Sequence, residues 1–287
     1  MRRDRIADDI FTFTSDLYAQ VTAGIILTSE GTIVIDTLPF PEETREMIAF
    51  IKARGQGPVR YVINTHHHSD HTNGTYLLAE AEVLAHRLCR AALLRWGERN
   101  LEQARRETPG LAEVQVRPPN IVFENDTYVH LGERSLYVTA LPGHTEDSIG
   151  VLVEGDKILF AGDAMLPVPH FVWGDAQASA RSLRRVRALK PESVVQGHGQ
   201  LLLRGELADE IESGLNYLDC VEREVRRAVQ SGVPESALLE IDIESCGKSR
   251  VPLDGLVQYL HRENVLAMYS RLKGSEEHSK RAEPQIV

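Results

Sequence analysis

Residues 65–74 read THHHSDHTNG and place His66, His67, His68, Asp70 and His71 almost side by side. In extended backbone alternate side chains share a side, so His66 and His68 face one way while Asp70 and His71 turn onward into the next element. Two histidines on one side can chelate one divalent ion, and the Asp–His pair can reach a second. Neither pair is a complete shell, because a catalytic zinc takes about three protein ligands and keeps one position for water. Three distant stretches supply further donors in one recurring setting: LPGHT with His144, FAGDA with Asp163 and QGHGQ with His198. In each, the candidate follows a glycine at the end of an apolar strand, where a residue without Cβ lets the chain turn sharply and come close to a metal. His67 lies between ligands and is expected to point the other way. His86, His130, His170, His261 and His278 carry no spacing argument.

Such donors need strand ends to hold them. Residues 21–36 read as two apolar strands around SEG, and 41–55 as a helix with Pro41 at its start and Gly55 as its stop. Residues 59–64 form the strand that runs into the histidine cluster. A helix is expected over 87–106, then strands at NIVF, TYVHL, SLYVTAL, SIGVLVEG and KILFAGD, a helix at ASARSLRRVRALKP, and a strand end at ESVVQGHG. Past Gly205 the strand signals largely stop, and two long helical patterns follow. SCGKS hints at a phosphate loop, but no strand precedes it and Asp242 stands where the first glycine would have to be, so that reading is rejected.

Composition narrows the function classes. With 32 Lys+Arg against 42 Asp+Glu the formal charge is -10, and no global positive field favours nucleic acid or an anionic membrane. The first residues lack the apolar run of a secretory signal, and no segment reaches the length of a membrane span. Cys89, Cys220 and Cys246 are odd in number and widely spaced, which argues against a disulfide framework; Cys89 and Cys220 fall in helical patterns and read as core. The expectation is a cytoplasmic protein with a small-molecule substrate and with neither nucleic acid nor membrane as a partner.

With HxHxDH followed in order by GH, GD and GH, the chain resembles the metallo-β-lactamase fold superfamily over residues 21–203. The resemblance implies an α/β (α+β) fold: a four-layer αβ/βα sandwich with two mixed β-sheets and the site at one edge. The expected layout is a catalytic domain over 1–205, a helical C-terminal extension packed on it over 206–273, and a flexible tail over 274–287. The ligand division implied is His66, His68 and His144 on a first metal, Asp70, His71 and His198 on a second, and Asp163 bridging both. The cofactor implied is two zinc ions, with iron or manganese as alternatives.

A centre of that kind lowers the pKa of bound water and polarises a carbonyl at the same time. The implied activity is a dinuclear zinc-dependent hydrolase whose metal-bridging hydroxide attacks a thioester, lactone or related ester or amide. Asp70 orients the nucleophile and passes its proton to the leaving atom. Dedicated β-lactamases of the family usually lack the bridging aspartate that this chain has in Asp163, which leaves at most promiscuous β-lactam turnover. The glyoxalase II motif is close, but Ser69 and Thr72–Asn73 stand where its Trp and Ala–Gly are usual. The alternatives kept open are an iron-dependent oxidoreductase with the same ligands and a non-enzymatic binding member of the fold. His170, Phe171 and Trp173, in MLPVPHFVWGD, are the candidates for lining a substrate pocket. The 87–106 insert and the C-terminal helices either cover the site, pack on the body, or form a homodimer face.

Overall fold

The computed structural model describes residues 1–273, and within them apolar runs bounded by turn residues pair into two sheets. The first holds β1 (Arg2–Ala7), β2 (Ile10–Thr14), β3 (Thr22–Thr28), β4 (Gly31–Ile35), β5 (Val59–Ile63), β6 (Glu82–His86) and β7 (Ile121–Phe123) in that spatial order. It is antiparallel as far as β4 and parallel beyond. Its connections carry α1 (Pro41–Arg54), the single turn α2 (Ser69–Thr72), α3 (Arg87–Ala92) and α4 (Glu98–Glu107). Pro41 opens α1 and Gly55 closes it in the left-handed region, at φ 69°, as the sequence leads one to expect.

The second sheet runs β13-β12-β11-β10-β9-β8, made of β8 (Thr127–Leu131), β9 (Arg134–Ala140), β10 (Ile149–Val153), β11 (Ile158–Gly162), β12 (Ser193–Gln196) and β13 (Leu201–Leu203). All pairs are antiparallel except β11 with β12, which are joined through α5 (Ala176–Leu189). Two helices complete the described chain, α6 (Arg204–Gln230) and α7 (Val257–Leu272).

Each sheet buries both faces, which produces the four layers. Ile26, Ile33, Ile35 and Ile63 of the first sheet meet Leu136, Val138, Val151 and Phe160 of the second in a central core. Met47 and Ile51 of α1 cover the outer face of the first sheet. The outer face of the second is covered by α5, α6 and α7, through residues such as Leu183, Leu215, Tyr217 and Val257. The sheets are also tied by backbone: the Thr22 N–H donates to Gly197 O at 2.8 Å and the Ile149 N–H to Thr65 O at 2.9 Å.

Three features depart from the sequence reading. The β1–β2 hairpin was not expected, because β1, RRDRIA, is a charged and mostly exposed edge strand whose pairing comes from β2. The helix expected over 87–106 is present but not uniform, since a π turn at Leu93–Gly97 lies within it. Cys220 and Cys246 are not isolated thiols: they form a disulfide between α6 and the loop before α7, with Cα atoms 5.4 Å apart. Their separation of 26 residues hid the pairing, since only folding brings them together. Cys89 alone is free and buried. The tail expected over 274–287, with His278, lies outside the described residues.

Candidate metal centre

Strand direction explains why the candidates meet. β9 and β11 both run antiparallel to β10, and β12 runs parallel to β11, so β9, β11 and β12 end at the same edge of the second sheet. His144 follows β9, Asp163 directly follows β11, and His198 comes two residues after β12. From the facing edge of the first sheet β5 delivers His66 and His68, and α2 begins at once and turns Asp70 and His71 inward.

Seven donors converge in two groups, His66, His68, His144 and Asp163, and then Asp70, His71 and His198; within each group the ligand atoms lie within 4.8 Å of one another. All but His68 are buried. Asp163 sits between the groups. Its Oδ2 lies 3.2 Å from His144 Nε2 and 3.9 Å from His66 Nε2. Its Oδ1 lies 3.2 Å from His71 Nε2 and 3.6 Å from His198 Nε2. His68 presents Nδ1, 2.9 Å from His144 Nε2, and Asp70 Oδ2 is 3.2 Å from His198 Nε2.

The glycines noted in the sequence make room for this. Gly162 adopts φ 49°, and a Cβ on Gly197 would stand 1.9 Å from Asp163 Oδ1. A side chain at Gly197 would therefore occupy the space of the carboxylate.

Four of the five imidazoles, those of His66, His71, His144 and His198, are turned by a partner on the far nitrogen. His71 Nδ1 donates to Asp36 Oδ2 at 2.9 Å, His144 Nδ1 to His170 O at 2.8 Å and His198 Nδ1 to Ala19 O at 2.9 Å. His66 Nδ1 donates to Thr65 Oγ1 at 3.1 Å, whose hydroxyl donates to Asp36 Oδ2 at 2.6 Å. With the proton fixed on Nδ1, Nε2 keeps its lone pair toward the centre.

Burial leaves several of these inward atoms unsatisfied. His66 Nε2, His71 Nε2, Asp70 Oδ1 and Asp163 Oδ1 are enclosed and make no hydrogen bond, at a cost of about 1–3 kcal/mol for each such group. A mixed imidazole and carboxylate set is one that zinc, iron and manganese accept, so the residues fit a pair of divalent cations. The local charge is set by the same crowding. Burial drives His66 and His68 well below the usual imidazole range. Burial also opposes the charged form of His71 and His198, but the carboxylates of Asp163 and Asp70 outweigh it and raise both. Burial would raise Asp163, yet His198, His71 and His144 hold it well below the usual carboxylate range.

His67 does turn away from the cluster. Its Nδ1 lies 2.8 Å from Oδ1 of the buried Asp147, and it faces a cavity that opens beside His68, walled by α2 on one side and by α3, the π turn and α4 on the other. Trp173 lines that cavity with its ring 4.8 Å from that of His68. Phe171 and His170 do not line it. Phe171 is fully buried in the core under α6 and α7, with its N–H donated to Asn264 Oδ1, because an apolar ring in this loop gains most by joining that core. His170 is buried behind His144, which its carbonyl orients.

Sequence reasoning missed Asp36, Thr65, Asp147 and Tyr18. Burial and then the charge of Asp70 and Asp163 push the Tyr18 phenol upward, which keeps it protonated beside the centre. Asp36 ends the apolar strand IVID much as the ligands end theirs, and that pattern was the one available signal.

Residues 18–198 match the family model described as the Metallo-beta-lactamase superfamily. The acyl-coenzyme A thioesterase MBLAC2 of Bos taurus is 30% identical over 182 residues, 56% of this chain and 64% of that protein. A hydroxyacylglutathione hydrolase of Methylococcus capsulatus is 31% identical over 137 residues, 47% of this chain and 46% of the other. The chain thus spans less than two thirds of the length of either relative. Among solved structures, the metallo-beta-lactamase from Pontibacter korlensis superposes with a TM-score of 0.59 at 23% identity, over 74% of this chain and 97% of that one. The sec-alkylsulfatase Pisa1 from Pseudomonas sp. gives 0.72 at 15% identity, over 95% and 50%. At these identities the likeness is one of fold.

Proposed function

This chain belongs to the metallo-beta-lactamase superfamily, and from that premise we propose that it is a dinuclear zinc-dependent hydrolase of a small carbonyl substrate, a thioester, lactone or related ester or amide. The observation that carries the reading is the position of Asp163, with one oxygen toward His66 and His144 and the other toward His71 and His198. In this reading His66, His68 and His144 would hold the first cation and Asp70, His71 and His198 the second, with Asp163 available to both. Two such cations supply a water of lowered pKa and polarise the scissile carbonyl.

The chain's own residues do the rest. Asp36, His170 O and Ala19 O fix the ring orientations before any substrate arrives, so little reorganisation is left for the reaction. Asp70 Oδ1, enclosed and unpaired, accepts the proton of the attacking water and hands it to the leaving atom on the His198 side. The names of the two relatives favour an acyl thioester among the carbonyl substrates.

The test is metal content by elemental analysis, with turnover of acyl thioesters and lactones, for the native protein and Asp163→Asn. The expected result is about two zinc ions and hydrolysis in the native protein, with a drop in both metal stoichiometry and turnover in the variant of well over tenfold for turnover. An unchanged stoichiometry of two in the variant removes the bridge. Stoichiometric iron with no hydrolysis transfers the site to dioxygen chemistry.

A further inference from the structure

The cavity beside His68 is built by chain that the ligand motifs do not include. Its far wall is the 87–107 insert, where the π turn Leu93–Gly97 lies between α3 and α4. Leu93, Trp96 and Leu101 come from this insert, Val116 from the loop after it, and His68 and Trp173 stand at the end next to the metal centre. Gly97 has no room for a side chain, since a Cβ there would lie 2.9 Å from Val116 Cγ1; this close approach seats the π turn against that loop.

The lining tells what the cavity takes. Among the described residues its one Lys or Arg side chain is Arg117, and that guanidinium is committed to the carbonyls of Thr75, Leu78, Ala79 and Ala81 at 2.6–3.2 Å. No Lys or Arg of the described lining is then left to bind a carboxylate, phosphate or sulfate. What remains is mainly apolar surface, from Ala92, Leu93, Trp96, Leu101, Ala104 and Val116, with uncharged polar side chains such as Thr72, Asn73 and Gln115 beside it. The cavity volume is about 60 Å³, on the scale by which one enclosed water takes about 10–15 Å³. The cavity thus accommodates about four to six carbon-sized groups.

We infer that this cavity binds the acyl half of the substrate, as an uncharged aliphatic or compact aromatic chain of about four to six carbons beyond the carbonyl. The assignment to the acyl half rests on the reaction proposed above: the leaving atom departs on the Asp70 and His198 side, whereas the cavity adjoins His68 and touches neither of those residues. Leu93, Trp96 and Leu101 set the length that fits.

Binding can be read without catalysis, because the chain has two tryptophans, Trp96 and Trp173, and both line the cavity. The experiment titrates the full-length protein, stripped of metal by chelation, with straight-chain primary amides from butanamide to decanamide, following intrinsic fluorescence. The expected result is a saturable signal whose Kd improves about fourfold per added methylene and levels off near hexanamide. Ala104→Leu, which fills the lining, moves the levelling point to shorter amides, and Leu101→Ala, which opens it, moves it to longer ones; a misfolded variant would lose binding at every length instead. In metal-loaded protein, kcat/KM for acyl thioesters is expected to follow the acyl length in the same order and to change little with the length of the thiol. Saturable, length-dependent amide binding with no hydrolysis of any ester keeps the cavity and removes the hydrolase. Hydrolysis indifferent to acyl length, or amide binding that neither variant shifts, removes the acyl cavity and leaves the hydrolase standing.

Discussion

Asp36 is the residue on which the centre's orientation depends most. Its Oδ2 takes the hydroxyl of Thr65 and Nδ1 of His71, and Thr65 in turn takes Nδ1 of His66, so one carboxylate orients a histidine in each ligand group. It holds this place at φ 56°, in the left-handed region that aspartate tolerates better than most residues. Asp36→Ala is expected to weaken retention of both cations by roughly 10–100-fold, measured by competition with a chromogenic chelator; loss of one cation alone would show that the two groups are oriented independently. The seven candidate ligands were legible because residue type, spacing and strand-end glycines agree. Asp36 was not, because its partners Thr65 and His71 lie 29 and 35 residues away and a lone aspartate after an apolar strand has many ordinary uses. That His170 and Phe171 are buried off the cavity lining while Trp173 is on it was illegible for a related reason: sequence places the loop near Asp163 but does not say which side chains turn inward.

Elements convert those positions into geometry. Runs such as SIGVLVEG and KILFAGD were readable as strands because apolar residues fill a bounded length, and their shared edge follows from the antiparallel steps of β9, β10 and β11. The charged β1 and the π turn in the insert had no such pattern, since pairing with β2 makes the one and packing against Val116 accompanies the other. The start of α5 connects an element to the site. Asp175 Oδ1 accepts from the Ala178 N–H at 2.7 Å, while the Asp175 N–H donates to Gly143 O at 2.9 Å, immediately before His144. Asp175→Ala is expected to lower stability by about 1 kcal/mol, a fall in melting temperature of about 2–4 °C. Metal retention should fall less than in Asp36→Ala, because His170 O still holds His144. A loss of metal equal to that of Asp36→Ala would make the helix cap part of the ligand scaffold.

At the scale of the molecule, the two sheets close on each other through a wide apolar core and a few backbone bonds, and the ligand groups lie at the rim of that seam. Cations held there, as proposed above, would bind the folded chain and not the unfolded one. At 100 times the Kd such binding would contribute about 2.7 kcal/mol, so chelation should lower the melting temperature by about 5–10 °C; an unchanged melting curve after proven metal loss would mean that the seam is held by its core alone. The disulfide is a second global tie, linking α6 to the loop before α7 across 26 residues, and a loop of that size contributes about 3 kcal/mol. Thiol titration of the denatured, unreduced protein should find one free cysteine, Cys89. Three free cysteines would instead fit the reducing, cytoplasmic setting expected from the sequence. Among the described residues no helix is long and apolar enough to cross a membrane.

The placement of the ligand groups on a seam between two sheets has a consequence for the life of the protein in a cell. Since occupancy adds to stability, a fall in the supply of the cation raises the fraction of chains that open, and opened chains are what proteases and chaperones remove. Abundance would then track the metal, and scarcity would deplete the protein itself as well as idle its site.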